Sequence, residues 1–227
     1  MPDIPLFQKS DRYKVSSYRA YNFKLPDRYD SSFWMSFCQT KLWDDAVQAE
    51  LGVEVRSLRI LDVGCATGRL LSSLAQAGAE NLAGVDLAPR ILDVARRKLA
   101  DRRVEVDLRA ADAEDALPWP SESFDLATLT GVLHHFYRPH DALQEVHRVL
   151  RTGGRLLVID PDFFPPLRQF LNLALRVAPH WGDFRFYSRC NAIQLLENVG
   201  LGHLRSRRIG LWSYLITAVK ASESLRP

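Results

Sequence analysis

The chain has 227 residues, of which 47% are hydrophobic and 25% are charged, with 12 glycines, 12 prolines and three cysteines. This composition excludes disordered, collagen-like and disulfide-stapled proteins and is typical of a globular protein with a sizeable core. Thirty basic and 27 acidic residues leave a formal net charge of +3. So small an excess does not favour a nucleic acid or an anionic membrane as the partner.

The N-terminal quarter of the chain differs from the rest. Residues 1–57 are polar and rich in aromatic side chains, and their pattern predicts a helix from Ser31 to Glu50. The segment is too short to bury its own aromatic rings well. We therefore expect a helical and aromatic N-terminal cap that packs on a domain formed by residues 58–220.

The N-terminal residues and the cysteines predict a cytoplasmic protein. Residues 1–14 carry charges and prolines where a signal peptide would have an apolar core. Cys38, Cys65 and Cys190 are odd in number and far apart, which favours reduced thiols. No run approaches the roughly 20 apolar residues of a membrane span, so we expect no membrane insertion.

From residue 58 onward, short aliphatic runs alternate with segments of helical period. The runs predict strands at 58–63, 82–86, 104–108, 124–130 and 155–160. The other segments predict helices at 67–77, from 89, from 139 and at 188–198, a turn at 152–154, a substrate-side insertion at 161–187 and a closing hairpin within 203–219. This alternation predicts an α/β fold with a seven-stranded, mostly parallel sheet and an antiparallel C-terminal hairpin.

Ligands of an open parallel sheet bind beyond the carboxyl ends of its strands, and the residues there favour a nucleoside. The first strand leads through Asp62-Val-Gly-Cys-Ala-Thr-Gly68 into a helix, where glycines and free N–H groups permit close approach of a ligand. The second strand ends in Asp86, which could accept both hydroxyls of a ribose. Asp112 and Ala113 follow the third and could receive an adenine amino group.

The glycine pattern argues against two common nucleotide sites. A dinucleotide site needs the pattern G-x-G-x-x-G, but counting from Gly64 places Ala66 and Arg69 at its second and third glycine positions. The Gly-Lys-Ser/Thr of a phosphate-binding loop is also absent from the sequence. An acidic residue that could bind a ribose, without a loop that could bind phosphate, fits an adenosine joined to a tail that carries no phosphate.

Five motifs occur in order along the chain: Ile60–Arg69, Gly84–Leu87, Ala111–Ala113, Phe124–Asp125 with Leu133–His135, and Val149–Arg155. Together they resemble the class I S-adenosylmethionine (SAM)-dependent methyltransferases, in the group that includes the ubiquinone and menaquinone methyltransferases. The resemblance implies a Rossmann-like fold, SAM as the cofactor and release of S-adenosylhomocysteine.

The resemblance also implies which residues bind the cofactor. The set is Asp62, Gly64, Cys65, Ala66, Gly68, Asp86, Leu87, Asp112, Ala113 and Thr130. The loop around Gly64 would hold the methionine end, with Asp62 orienting it, and Asp86 would take the ribose. Leu87 would pack on adenine, and Asp112 would hydrogen-bond to the polar edge of the adenine ring.

Other roles remain open for several of these residues. Asp86 could instead cap the helix that begins at Pro89, and Asp112 could be a turn residue. Cys65 fits a small packing residue better than a nucleophile, and Ala66 stands where the family more commonly has glycine.

His134, His135 and Asp160 are the candidate catalytic residues. They follow the fourth and fifth strands, next to the expected methyl position, and could act as the general base that a hydroxyl or carbon acceptor requires. One histidine of the pair fits a structural role. No Cys/His/Asp spacing resembles a metal site, so none is predicted.

The insertion and the N-terminal cap predict the acceptor. Aromatic residues such as Phe163, Phe164, Trp181, Phe184 and Phe186 favour a small, partly apolar or aromatic molecule, methylated on oxygen first, then on carbon or nitrogen. A nucleic-acid or protein methyltransferase and a non-catalytic SAM-binding partner protein remain the alternatives. We expect a monomer or a homodimer.

Overall fold

A computed structural model describes residues 12–31, 40–177 and 182–221. Within them, seven strands form one sheet in the order β3-β2-β1-β4-β5-β7-β6. The strands are β1 (Arg59–Val63), β2 (Asn81–Asp86), β3 (Asp107–Ala110), β4 (Phe124–Thr130), β5 (Leu150–Pro161), β6 (Leu201–Ile209) and β7 (Ser213–Lys220). Strands β1 to β5 pair in parallel, and β7 runs antiparallel to both β5 and β6. The predicted mixed sheet is therefore confirmed.

Helices pack on both faces of the sheet. The α-helices of the described ranges are α1 (Arg12–Arg19), α2 (Thr40–Leu51), α3 (Arg69–Gln76), α4 (Pro89–Asp101), α5 (Pro139–Val149), α6 (Pro165–Val177) and α7 (Arg189–Asn198). Proline begins α4 and α5 because the first turn needs no N–H donor there. In β1, Ile60 faces one hydrophobic cluster while Leu61 and Val63 face the other, as alternation along a strand requires.

Two predicted boundaries were wrong, each for a local reason. The third strand begins at Asp107 and not at residue 104, because the N–H of Val104 donates to the carbonyl of Leu99 and closes the end of α4. The predicted turn at 152–154 lies inside β5. There the pairing advances by five positions on β5, from Leu150 to Arg155, but by only two on β4, from Phe124 to Leu126. These residues form a bulge, with Gly153 at a φ of +77°.

The N-terminal cap prediction concerns residues that the structure describes only in part. Residues 32–39 lie outside the described ranges, and within the predicted helix Ser31–Glu50 the described helix begins at Thr40. Ser31 itself ends a 3₁₀ turn, Pro26–Ser31. The insertion contains α6, which the sequence analysis did not predict, and Trp181 lies outside the described ranges. Among the described residues, no helix is both long enough and apolar enough to cross a membrane.

Trp43 anchors α2 to the sheet. Its side chain is 4% exposed, and its Nε1 donates a 3.0 Å hydrogen bond to Oγ of Ser213 at the start of β7. A Cβ atom built on Gly131, after β4, would lie only 2.8 Å from the ring of Trp43. The indole therefore fills the space that a glycine leaves at the carboxyl end of β4.

We expect Trp43→Ala to lower the free energy of unfolding by about 3–5 kcal/mol, because it empties a buried ring site. Trp43→Phe keeps one aromatic ring but loses the hydrogen bond and part of the ring volume, at a cost of about 1–3 kcal/mol. Denaturant unfolding measures both, with the 89% exposed Val53, changed to Ala, as the control. Equal stabilities of Trp43→Ala and Val53→Ala would contradict this anchoring.

Candidate active site

A cleft opens at the carboxyl ends of strands β1 to β4. Four of its lining residues come from the N-terminal segment, namely Lys14, Ser17, Tyr21 and Tyr29. The others follow the strands and are Val63, Gly64, Ala66, Val85, Asp86, Leu87, Ala111, Asp112, Ala113, Glu114, Gly131, Val132, His135 and Phe136. The strand-end motifs thus meet in one place.

The loop between β1 and α3 bends sharply at three positions. Gly64, Ala66 and Gly68 have φ angles of +72°, +46° and +70°, in the left-handed region where glycine is favoured. A Cβ atom on Gly64 would also collide with the side chain of Val132. Ala66 takes this conformation at a steric cost that a glycine would not have.

Asp86 ties this loop to the end of β2. Its Oδ2 accepts a 3.0 Å hydrogen bond from the N–H of Ala66, and its Oδ1 accepts one of 3.0 Å from the N–H of Ala88. Burial raises the pKa of Asp86 to about 6, against the lowering effect of these two bonds. Asp86 therefore both bonds the backbone before α4 and lies in the cleft.

Four residues of the predicted cofactor set do not line the cleft: Asp62, Cys65, Gly68 and Thr130. Asp62 lies beneath the loop, 2% exposed, and accepts a 2.8 Å hydrogen bond from Oγ1 of Thr128. Cys65 is buried, and a Cβ atom on Gly84 would lie 2.9 Å from its sulfur. Both side chains therefore support the loop from below.

Lys14 of α1 reaches Asp112, a contact that the sequence analysis missed. Nζ of Lys14 lies 2.5 Å from Oδ2 of Asp112 and 3.3 Å from Oε2 of Glu114. Oδ1 of Asp112 accepts a 2.9 Å bond from the N–H of Glu114. Burial lowers the pKa of Lys14, but the hydrogen bond and charge of Asp112 outweigh burial and raise it overall. Asp112 is thus a turn acceptor and an ion-pair partner at once.

The two histidines have different partners. Nδ1 of His134 lies 2.9 Å from Oδ1 of Asp160, which is fully buried at the end of β5. Nε2 of His135 lies 3.1 Å from the hydroxyl of Tyr21, and only His135 of the pair lines the cleft. Burial lowers the pKa of both, strongly for His135, but Asp160 raises that of His134 overall.

Asp183 joins this group although no sequence motif includes it. The carbonyl of His134 accepts hydrogen bonds from the N–H groups of Phe184 and Arg185, at 2.8 and 3.0 Å. These bonds seat Oδ1 of Asp183 at 3.3 Å from Nδ1 of His135. Asp183 lies 48 residues beyond His135 in the insertion, so local spacing gave no signal for the contact.

The buried carboxyl group of Asp62 makes the free energy of unfolding depend on pH. Burial raises its pKa from 3.8 to about 7, against the effects of Thr128 and Arg69 and with those of Asp44 and Asp86. The folded chain therefore binds a proton that the unfolded chain lacks between about pH 4 and pH 7. The contribution of Asp62 to the free energy of unfolding therefore falls as the pH rises through this range.

We expect Asp62→Asn to flatten this dependence, since the amide keeps the shape and does not ionise. Between about pH 5 and pH 7 the variant should lose about 2 kcal/mol less stability than the original chain. Urea unfolding at several pH values measures the difference. Parallel stability profiles for the two proteins would contradict the raised pKa.

Comparisons with known proteins agree with the fold and the motifs described above. A family model described as "Methyltransferase domain" matches residues 61–158. A demethylmenaquinone methyltransferase from Thermus thermophilus is 36% identical over 174 residues, which cover 76% of this chain and 70% of that protein. A ubiquinone biosynthesis O-methyltransferase from Xanthomonas oryzae pv. oryzae is 36% identical over 114 residues, which cover 50% of this chain and 46% of that protein.

A solved structure agrees with the fold. The crystal structure of magnesium protoporphyrin IX methyltransferase from Synechocystis PCC 6803, with bound SAH, covers 92% of this chain and 100% of that chain, with a TM-score of 0.72 and 19% identity. At this identity the likeness concerns the fold alone. The motifs, the sheet order and the 36% identical relative together identify the chain: it belongs to the class I SAM-dependent methyltransferases and is an enzyme whose cofactor is SAM.

Proposed function

We propose that this enzyme methylates a hydroxyl group of a small, partly apolar or aromatic acceptor and releases S-adenosylhomocysteine. The observation that carries the proposal is the pair formed by His135 and Tyr21, a polar end within a cleft whose other walls include Tyr29, Phe136 and Val132. Relatives named for demethylmenaquinone and for ubiquinone biosynthesis support an acceptor of this class.

The order of the strands supports one orientation of the cofactor. Asp112 and Ala113 follow β3, Asp86 ends β2, and Gly64 follows β1. SAM with its adenine at β3 and its ribose at Asp86 would extend its methionine end toward β1 and β4. Its sulfonium would then face the residues after β4, which include His135.

Aromatic rings line this end of the cleft and also lie behind its wall. The ring of Phe186 stacks on His134 with centroids 5.1 Å apart, and Phe163 meets Phe186 edge-on at 5.0 Å. Tyr21 and Tyr29 pack at 5.7 Å on the cleft side. Planar, apolar walls of this kind fit a ring better than a flexible polar chain.

Methyl transfer to oxygen depends mainly on position. The acceptor oxygen attacks the methyl carbon in line with the leaving sulfur, and correct placement contributes up to about 7–11 kcal/mol in favourable cases. In this proposal, His135 and Tyr21 hydrogen-bond to the acceptor hydroxyl and are the catalytic residues. The imidazole of His135 passes the hydroxyl proton on to water as the oxygen attacks. His134 and Asp160 lie behind them and are positioning residues.

We expect Asp86→Ala to weaken SAM binding at least tenfold, because the variant loses the ribose acceptor and the bond that shapes the β1–α3 loop. Calorimetry with S-adenosylhomocysteine measures the change. The control is Asp93→Ala, which removes an exposed carboxylate of α4 that pairs with Arg96. An affinity unchanged by Asp86→Ala would refute the ribose assignment.

We expect His135→Ala to lower turnover by about 10²–10⁴-fold while SAM affinity stays within about threefold, since it removes only the acceptor contact. Turnover is followed with methyl-labelled SAM on hydroxylated aromatic acceptors, with mass identification of the product. His140→Ala, on the exposed first turn of α5, is the control. Full turnover in His135→Ala would overturn its catalytic role.

A further inference from the structure

Three potential metal-ligand atoms converge at the acceptor end of the cleft. Nε2 of His134, Nδ1 of His135 and Oδ1 of Asp183 lie within 4.8 Å of one another. Oδ1 of Asp183 is 3.3 Å from the His135 nitrogen and 3.7 Å from the His134 nitrogen. Two ligands about 2.0–2.1 Å from a tetrahedral zinc ion lie roughly 3.3 Å apart. Small side-chain movements would therefore give all three atoms coordinating distances.

In each histidine, the ring nitrogen that faces away from Asp183 has a hydrogen-bonding partner, as is usual for histidines that bind metals. Nδ1 of His134 pairs with the Asp160 carboxylate at 2.9 Å, and Nε2 of His135 pairs with the Tyr21 hydroxyl at 3.1 Å. Each bond fixes the ring and leaves the other nitrogen directed at Asp183. A carboxylate or another polar group behind a ligating imidazole is the common second layer of such sites.

Charge and unmet hydrogen bonding also favour a cation here. Asp160 is fully buried, and among the described residues its Oδ2 and the Nδ1 of His135 make no hydrogen bond. The carboxylates of Asp160 and Asp183 also lie 2.9 Å and 3.3 Å from Nδ1 of His134 and Nδ1 of His135. A cation bound between the imidazoles would be attracted to both carboxylates.

We propose that His134, His135 and Asp183 bind a divalent transition-metal ion of the zinc class. Two imidazoles and one carboxylate suit Zn²⁺, Co²⁺ or Fe²⁺, whereas Mg²⁺ and Ca²⁺ prefer oxygen ligands throughout. Three protein ligands leave coordination positions open, and His135 brings the site to the wall of the cleft.

Such an ion would activate the acceptor proposed above, and this step rests on that function. A hydroxyl oxygen bound to the ion loses its proton to water more readily. The oxygen then forms its bond to the methyl carbon as the carbon–sulfur bond breaks, and the electron pair returns to the sulfonium sulfur. Ion binding itself does not depend on which acceptor the enzyme uses.

Titration of the untagged, metal-free full chain with Co²⁺ tests the site. We expect one ion per chain, visible d–d absorption, displacement by an equivalent of Zn²⁺ and no displacement by excess Mg²⁺. Asp183→Asn and His135→Ala should each weaken binding at least tenfold, and Asp160→Asn about 10–100-fold. His140→Ala and Cys190→Ser, which change exposed potential ligands, should bind as the original chain does.

Absence of stoichiometric Co²⁺ binding by the original chain would overturn the site, whatever the variants do. Binding that persists unchanged in Asp183→Asn and His135→Ala would overturn it as well. Transfer assays separate this inference from the proposed function. Undiminished methylation of a hydroxyl acceptor by the metal-free enzyme would refute the metal's role and leave the proposed function standing. Co²⁺ binding without methylation of any hydroxyl acceptor would refute the proposed function and leave the metal site standing.

Discussion

The site depends on three consecutive backbone N–H groups that bond to the end of one strand. The N–H groups of Gly64 and Cys65 donate to the carbonyl of Val85, at 2.8 and 3.0 Å, and that of Ala66 donates to the carboxylate of Asp86. These bonds turn the chain away from β1 and into α3. Because they also fix the carboxylate of Asp86, the loop and the ribose acceptor of the proposed cofactor pose are set by the same contacts.

The N-terminal segment completes the cleft that this loop begins. Lys14 pairs with Asp112 from 98 residues away, and Tyr21 reaches His135 from 114 residues away. Each contact joins α1 or the turn after it to a different strand end, so the segment spans the cleft from the β3 side to the β4 side. A cofactor whose adenine uses Asp112 would share that carboxylate with Lys14. In that pose, the N-terminal segment would be coupled to occupancy of the cleft.

The features that could be predicted from the sequence are those set by residues close together in the chain. Aliphatic strands, helix-starting prolines and the residues directly after each strand follow from neighbouring positions, so the sheet and most of the cleft-lining motif residues were predicted. The start of β3 depends on how α4 ends, and the bulge in β5 depends on its register with β4; composition encodes neither. Lys14, Tyr21 and Asp183 reach the site across long stretches of chain and belong to no motif, so only the folded structure could identify them.

Asp160 shows how the site differs from the core that surrounds it. It lies at the end of a buried strand, opposite Tyr214, where an apolar residue would avoid the desolvation of a carboxylate. Its partner His134 recovers part of that cost, but burial still raises the pKa of Asp160 overall. A buried ion pair adds little to stability compared with an apolar pair of similar size. In the proposed mechanism the two residues position His135 at the wall of the cleft, which explains them better than a contribution to the stability of the fold.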